Sequence, residues 1–291
     1  MDLKQYKSSL KTLSYIILLT AINYFIPFLS MAVMVFWPVP IVYLVQKEES
    51  SRVIGIIVIA ALINGFLFGI VMGLMTIIGF GLVGFVIGNV IKEDFSPLKT
   101  LIITIITVII SQALIFYVAS GILNLDYQTL LKQTVKGLSG EFDQQSVEQL
   151  VMSQLGLIKM IFPALLTISA SITGILNYYV SAWYLRRRGL NLKLYKPISS
   201  WYFYRWLVTP AIIISLLLSP NPIFINLNIL MFFLAFLQGF AVLMYYFSAK
   251  NSSFLLKSFM IFLIFIFPPV PIILIILGLL DMWFNFRKQT K

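Results

Sequence analysis

The sequence predicts an all-α protein, a polytopic transmembrane helix bundle of about 8–10 spans. Three observations predict it. Hydrophobic residues make up 60% of the chain and charged residues only 11%, where a soluble domain carries about 25% charged residues. The apolar residues fall into long runs, each close to the ~20 residues that a helix needs to cross hydrocarbon. The basic residues collect in the short segments between those runs, on one side of the alternation.

The runs come in a clear order. Leu13–Leu29 is the first span, and Met31–Val45 follows Pro27 and Ser30. Val53–Val90 is too long for one helix and reads as two, turning between Gly69 and Gly81. Leu98–Ile122, Leu157–Leu185, Phe203–Leu218 and Phe224–Phe247 are further spans. The last run, Phe254–Phe284, holds Pro268-Pro269-Val270-Pro271 at its middle. Those prolines remove backbone donors and break a helix, so a helical hairpin is the preferred reading over one kinked span. Residues 1–190 thus form a six-span membrane bundle, and residues 200–291 form C-terminal membrane helices. The basic N-terminal flank followed by an apolar run resembles a leader. No small-residue cleavage signal follows it, so it reads as a retained span.

Placing Lys4, Lys7 and Lys11 in the cytoplasm and alternating across each span puts the Arg186–Arg188 triplet inside. With the hairpin, eighteen of the 21 Lys and Arg residues fall inside, leaving Lys132, Lys136 and Lys159 outside. Positive-inside bias therefore accounts for the net charge of +11. The expected location is a bacterial cell membrane, multi-pass, with the N-terminus cytoplasmic and membrane lipid as a partner. No basic block stands apart from the short loops, so nucleic acid is not an expected partner.

The segment 125–156 is expected to be extracytoplasmic and amphipathic. Leu130, Leu131, Val135 and Leu138 make one apolar stripe, and Asp143 or Ser146 is placed to cap a second short helix. It reads as a pair of interfacial helices or as a lid over an outward cavity.

Composition also excludes chemistry. The chain has no Cys and no His, which removes disulfides, thiol nucleophiles, Ser–His–Asp triads and His-based zinc sites. It has no Walker-type glycine loop. No cofactor is expected, and the chain reads as a non-enzyme.

What remains is polar residues inside apolar runs. Asn64, Gln112 and Asn177 lie there, with Tyr178 beside the last. An amide facing lipid is costly, so these face the bundle interior. They serve either interhelical hydrogen bonds or a ligand, and they are the candidate ligand-binding residues. Gly65, Gly69 and Gly73 recur at four-residue spacing, as do Gly84 and Gly88, which permits close backbone approach. The alternative is an irregular stretch lining a cavity. Asp281 reads as an ion-pair or helix-end residue near Arg287, with a proton-carrying role as the alternative. Trp201, Tyr202, Tyr204 and Trp206 around Arg205 read as an interfacial belt, or as a docking loop for a cytoplasmic partner.

Asn64-Gly65 with its glycine-rich spans, Phe203-Tyr204-Arg205-Trp206 with Pro210, and Leu280-Asp281 followed by Phe286-Arg287 resemble the YybS-like family of uncharacterised bacterial membrane proteins, over nearly the whole chain. In span order and glycine usage, the first half, to about Arg188, is also similar to the membrane-embedded substrate-binding subunits of energy-coupling-factor transporters. That likeness implies capture of a small molecule, with separate subunits hydrolysing ATP. The expected function is therefore a transport-related, small-molecule-binding membrane protein with a membrane-protein or ATPase partner. The alternative is a non-catalytic scaffold or accessory subunit that binds other membrane proteins.

Overall fold

The computed structural model describes residues 3–122, 144–218, 221–250 and 252–287. Among these residues every regular element is helical. The helices are α1 (Leu3–Phe25), α2 (Ser30–Phe36), α3 (Val39–Val45), α4 (Ser50–Phe68), α5 (Ile70–Leu74), α6 (Leu82–Lys92), α7 (Pro97–Tyr117), α8 (Gln144–Arg187), α9 (Arg205–Leu217), α10 (Pro222–Ala249), α11 (Phe254–Ile266) and α12 (Pro269–Phe284). Five helical segments are long and apolar enough to cross a membrane, or six if the bent α11–α12 pair is one span. Adding α1 and the shorter apolar helices Ala32–Val45 and Arg205–Leu217 brings the number to eight or nine, within the expected 8–10.

The surface is apolar as well as the interior. Phe66 is 90% exposed and Phe28 is 83% exposed. Hydrocarbon is the solvent in which such a surface is stable.

The residues form two compact units. The first takes in 1–152 and 169–195, and the second 153–168 and 196–291. Helix α8 therefore contributes its middle to the second unit and its C-terminal half to the first. The amphipathic segment expected over 125–156 lies largely outside the described residues. Its end, from Gln144, belongs to the continuous α8, so the second short helix expected there is not separate.

In the first unit, the long run Val53–Val90 does turn between two helices, and it turns at Gly69. That residue has φ 94° and ψ 158°, a region open essentially to glycine alone. Its N–H donates to the Gly65 carbonyl at 3.1 Å. Directly across the turn, a Cβ on Gly73 would lie 2.9 Å from the Ala61 carbonyl and 3.0 Å from the Gly65 Cα. The glycine spacing therefore makes a tight helical hairpin. Gly84 and Gly88 do the same for α3 on α6, where added Cβ atoms would press on Ile41 and Val45. Replacing Gly69 with alanine is expected to cost about 1–3 kcal/mol, read as a lowered midpoint in denaturation of the detergent-solubilised chain. An unchanged midpoint would show that the turn forms elsewhere.

In the second unit, α10 and α12 cross at glycines. Gly239 lies against Leu274, and Gly278 lies against Ala235. The paired numbers run in opposite senses, so the helices are antiparallel. This corrects the hairpin expected for Phe254–Phe284, which would make α12 parallel to α10. The two arms meet at 101°. Pro269 and Pro271 sit in the first turn of α12, where a proline's missing N–H costs nothing. The prolines thus start a helix as well as breaking one.

Candidate functional site

The intramembrane amides of the first unit have hydrogen-bond partners within it. Asn64 is buried on α4 and its Nδ2 donates to the hydroxyls of Thr20 and Thr76, each at 2.9 Å. Those hydroxyls donate in turn to the carbonyls of Ile16 and Met72. Asn177, on α8, brings one end of its amide within 3.2 and 3.0 Å of the carbonyls of Met34 and Val35, and two acceptors there assign that end to the donating nitrogen. The reason is local. Residue 38 is proline, so the Met34 carbonyl has no i+4 donor, and Asn177 supplies one. Gln112 Oε1 accepts from Ser169 at 3.1 Å. The Tyr178 hydroxyl accepts from the Tyr195 N–H at 2.8 Å.

The same use of polar side chains recurs at Ser111, beside Gln112, and at Asn226, which sequence reading missed. The backbone of Met75–Gly81 is π-helical, and Ser111 donates to its Ile78 carbonyl at 2.7 Å. Near Pro163 in α8, Asn226 enters the helical ladder of the second unit. It accepts from the Ala164 N–H at 2.9 Å and donates to the Met160 carbonyl at 2.7 Å. Where hydrocarbon surrounds a helix, a broken backbone must find partners inside the protein. The signal available in the sequence was a proline or glycine break in one span and a lone amide in another. The pairing between them was not available.

Asp281 and Arg287 form a second polar centre. Both side chains are fully buried, with Nη2 of Arg287 2.9 Å from Oδ2 of Asp281. Arg287 also donates to the carbonyls of Ser199 and Trp201, both at 2.7 Å. Gln238 donates to the same Asp281 oxygen, and its Oε1 accepts from the Phe203 N–H at 2.9 Å. Asn285 makes this possible. At φ 48° it closes α12 in a left-handed turn and donates to the Asp281 carbonyl at 2.8 Å, which returns the chain so that Arg287 faces Asp281. The ion pair is the one expected from sequence. Gln238 was not expected, although an amide beside Gly239 in an apolar run was there to see. This centre ties the segment 196–203 to α10 and α12, and Oδ1 of Asp281 is buried in it without a hydrogen-bond partner among the described residues.

An open space lies elsewhere in the first unit. A groove of about 480 Å³ is lined by Lys11, Thr12, Tyr15, Leu18 and Leu19 of α1, by Phe36, Val39, Pro40 and Tyr43 of α2 and α3, and by Tyr184 and Arg188 at the end of α8. That volume falls within the range of small-molecule sites, roughly 300–1,000 Å³. A smaller pocket of about 250 Å³ holds Tyr178 with Asp94, Thr100 and Lys193. Of the four residues expected to bind ligand, Tyr178 lines this smaller pocket. Asn64, Gln112 and Asn177 line neither space.

Three aromatic–basic pairs at i, i+4 surround the large groove: Lys11 with Tyr15, Tyr43 with Lys47, and Tyr184 with Arg188. This repeated spacing is a legible signal that sequence reading passed over. Arg188 donates to the Tyr184 hydroxyl at 3.0 Å and its guanidinium lies 5.8 Å from the Tyr43 ring centre. Lys47 lies 5.8 Å from that ring as well. The hydrogen bond to Tyr184 pushes the Arg188 pKa further above its ordinary value, so its charge does not depend on pH in the working range. No carboxylate among the described residues pairs with Lys11, Lys47 or Arg188. Nor does any group of three potential metal ligands form among them.

A family model described as a predicted membrane protein, DUF2232, matches residues 13–282. A protein of Bacillus subtilis (strain 168), described as "Uncharacterized protein YybS", is 28% identical over 173 residues. That match covers 56% of this chain and 54% of the relative, so the chain spans about half the length of the curated relative it matches. No solved structure matches.

Proposed function

We propose that this chain, which belongs to the DUF2232 family of membrane proteins, is a membrane-embedded small-molecule-binding protein whose ligand occupies the groove between α1, α3 and the end of α8. The observation that carries the reading is the groove itself. It has the volume of a ligand site and brings together two cations that pair with no carboxylate among the described residues. Uncompensated like charges repel, and a bound anion relieves that repulsion.

A transport-related role is the wider form of the proposal. It takes the cytoplasmic N-terminus expected from positive-inside bias and a non-catalytic chain. Energy would then come from an ion gradient or from a separate ATPase. The likeness of the first half to energy-coupling-factor substrate-binding subunits rests on span order and glycine usage, a resemblance of fold that does not by itself carry a function.

The second reading, a membrane scaffold, is favoured by a different observation. Asn64, Asn177, Ser111 and Asn226 complete hydrogen bonds between helices, and glycines bring the helices into close contact. Such a bundle is built for rigidity.

Native mass spectrometry of the purified chain separates the two readings. The comparison is with Leu19→Trp, which fills the apolar part of the groove. A copurified small molecule on the parent chain that is lost from Leu19→Trp is the expected result. A chain that carries no small molecule, or one indifferent to Leu19→Trp, together with crosslinking to a fixed protein partner, favours the scaffold.

A further inference from the structure

We infer that the groove is a site for a phosphate-bearing amphiphile, with the anionic head between Lys11 and Arg188 and an acyl chain along Leu18, Leu19 and Phe36. The inference rests on the binding reading above and names the ligand class for it.

The order of residues along the groove carries the argument. On α1, the lining residues run from Lys11 through Tyr15 to Leu18 and Leu19, a rise of about 12 Å at 1.5 Å per residue. The lining on α2 and α3 has the same order in reverse, from apolar Phe36 and Val39 to Tyr43, which faces Arg188. Charge therefore gathers at one end and hydrocarbon at the other, with tyrosines between. A small soluble anion would use only the charged end. A neutral apolar molecule would leave Lys11 and Arg188 unpaired. A ligand with a charged head and a long apolar tail satisfies both.

The open side agrees with this class. Tyr15 is 51% exposed, Leu18 is 54% exposed and Phe36 is 48% exposed. In a membrane such apolar exposure faces acyl chains, so the groove is open to the phase where an amphiphile resides. Tyrosine beside basic residues is also the side-chain mixture found at headgroup level. Arg188 supplies the planar donor fork that suits phosphate oxygens, and its charge is fixed.

The test uses the full chain in nanodiscs of phosphatidylcholine, with and without phosphatidylglycerol, followed by mild delipidation and native mass spectrometry. Lys11→Gln with Arg188→Gln is compared with Lys99→Gln with Lys250→Gln, which removes two charges outside the groove. Phosphatidylglycerol retained by the parent chain is expected to fall roughly tenfold or more in the groove variant and to stay unchanged in the control. Phosphatidylcholine should not respond. Glycerol phosphate, the head alone, is titrated separately and is expected not to bind measurably.

Equal loss in both variants would overturn the inference, since it would mark diffuse surface charge. Tight binding of glycerol phosphate would overturn the amphiphile and leave a soluble anion in its place. If Leu19→Trp displaces a molecule that the charge variant retains, the ligand class is wrong and the binding reading stands. If Leu19→Trp displaces nothing, the binding reading itself fails.

Discussion

Replacing Arg287 with methionine is expected to destabilise the second unit by about 3–5 kcal/mol, one of the two largest single-residue effects expected in this protein. The physical reason is asymmetry. Arg287 is fully buried against Asp281, and it also serves the carbonyls of Ser199 and Trp201. Methionine fills similar space and supplies no donor. It leaves a buried carboxylate whose remaining partner among these groups is Gln238, and it removes a donor from two carbonyls. Denaturation of the chain in mixed micelles measures the loss. Asp281→Asn combined with Arg287→Met should be less damaging than Arg287→Met alone, because the unpaired charge is gone. Equal losses in the single and double variants would mean that Asp281 does not depend on Arg287. Arg287→Lys should fall between, since lysine carries the charge without the fork that reaches Asp281 and both carbonyls.

Gly278→Val is expected to abolish cooperative folding of the α10–α12 pair. A Cβ at Gly278 would overlap the carbonyl of Ala235, and one at Gly239 would overlap that of Leu274. Both obstacles are backbone, so no side chain can rotate out of the way. Ordinary overpacking costs about 1–3 kcal/mol, and a clash with the backbone of the facing helix exceeds it. The control is Gly55→Ala on α4, where nothing lies within 4 Å of the added Cβ. That change should be neutral or should stabilise by about 0.5–1 kcal/mol, because alanine is the better helix former. If Gly278→Val melts with the parent chain, the two helices are not packed at this crossing.

These two cases show where sequence reading worked and where it ran out. The Asp281–Arg287 pair was readable because opposite charges six residues apart follow an apolar run. The left-handed Asn285 that turns one toward the other was not read, nor was Gln238, which comes from another helix. The four-residue spacing of Gly65, Gly69 and Gly73 was readable as a place of close backbone approach, but that Gly65 and Gly73 meet each other across the turn at Gly69 came from the structure. Gly239 and Gly278 are 39 positions apart and come together only through the fold.

The amides teach the same lesson. Asn64, Gln112 and Asn177 were singled out because burying an amide in lipid demands a partner. Their partners turned out to be threonines, a serine and two backbone carbonyls, one of them freed by Pro38. The groove at Lys11, Tyr43 and Arg188 was written in the sequence as three aromatic–basic pairs, but nothing in one dimension said that they converge.

The sequence by itself determined the solvent, the helical class and the approximate ends of the spans. Hydropathy and backbone hydrogen bonding are local properties, and they leave a long apolar run few choices in hydrocarbon. The bend between α11 and α12, the partner of each buried amide and the site of the open groove were decided only by the tertiary structure. Each depends on which helix faces lie together, and that choice belongs to packing between distant residues rather than to any one run.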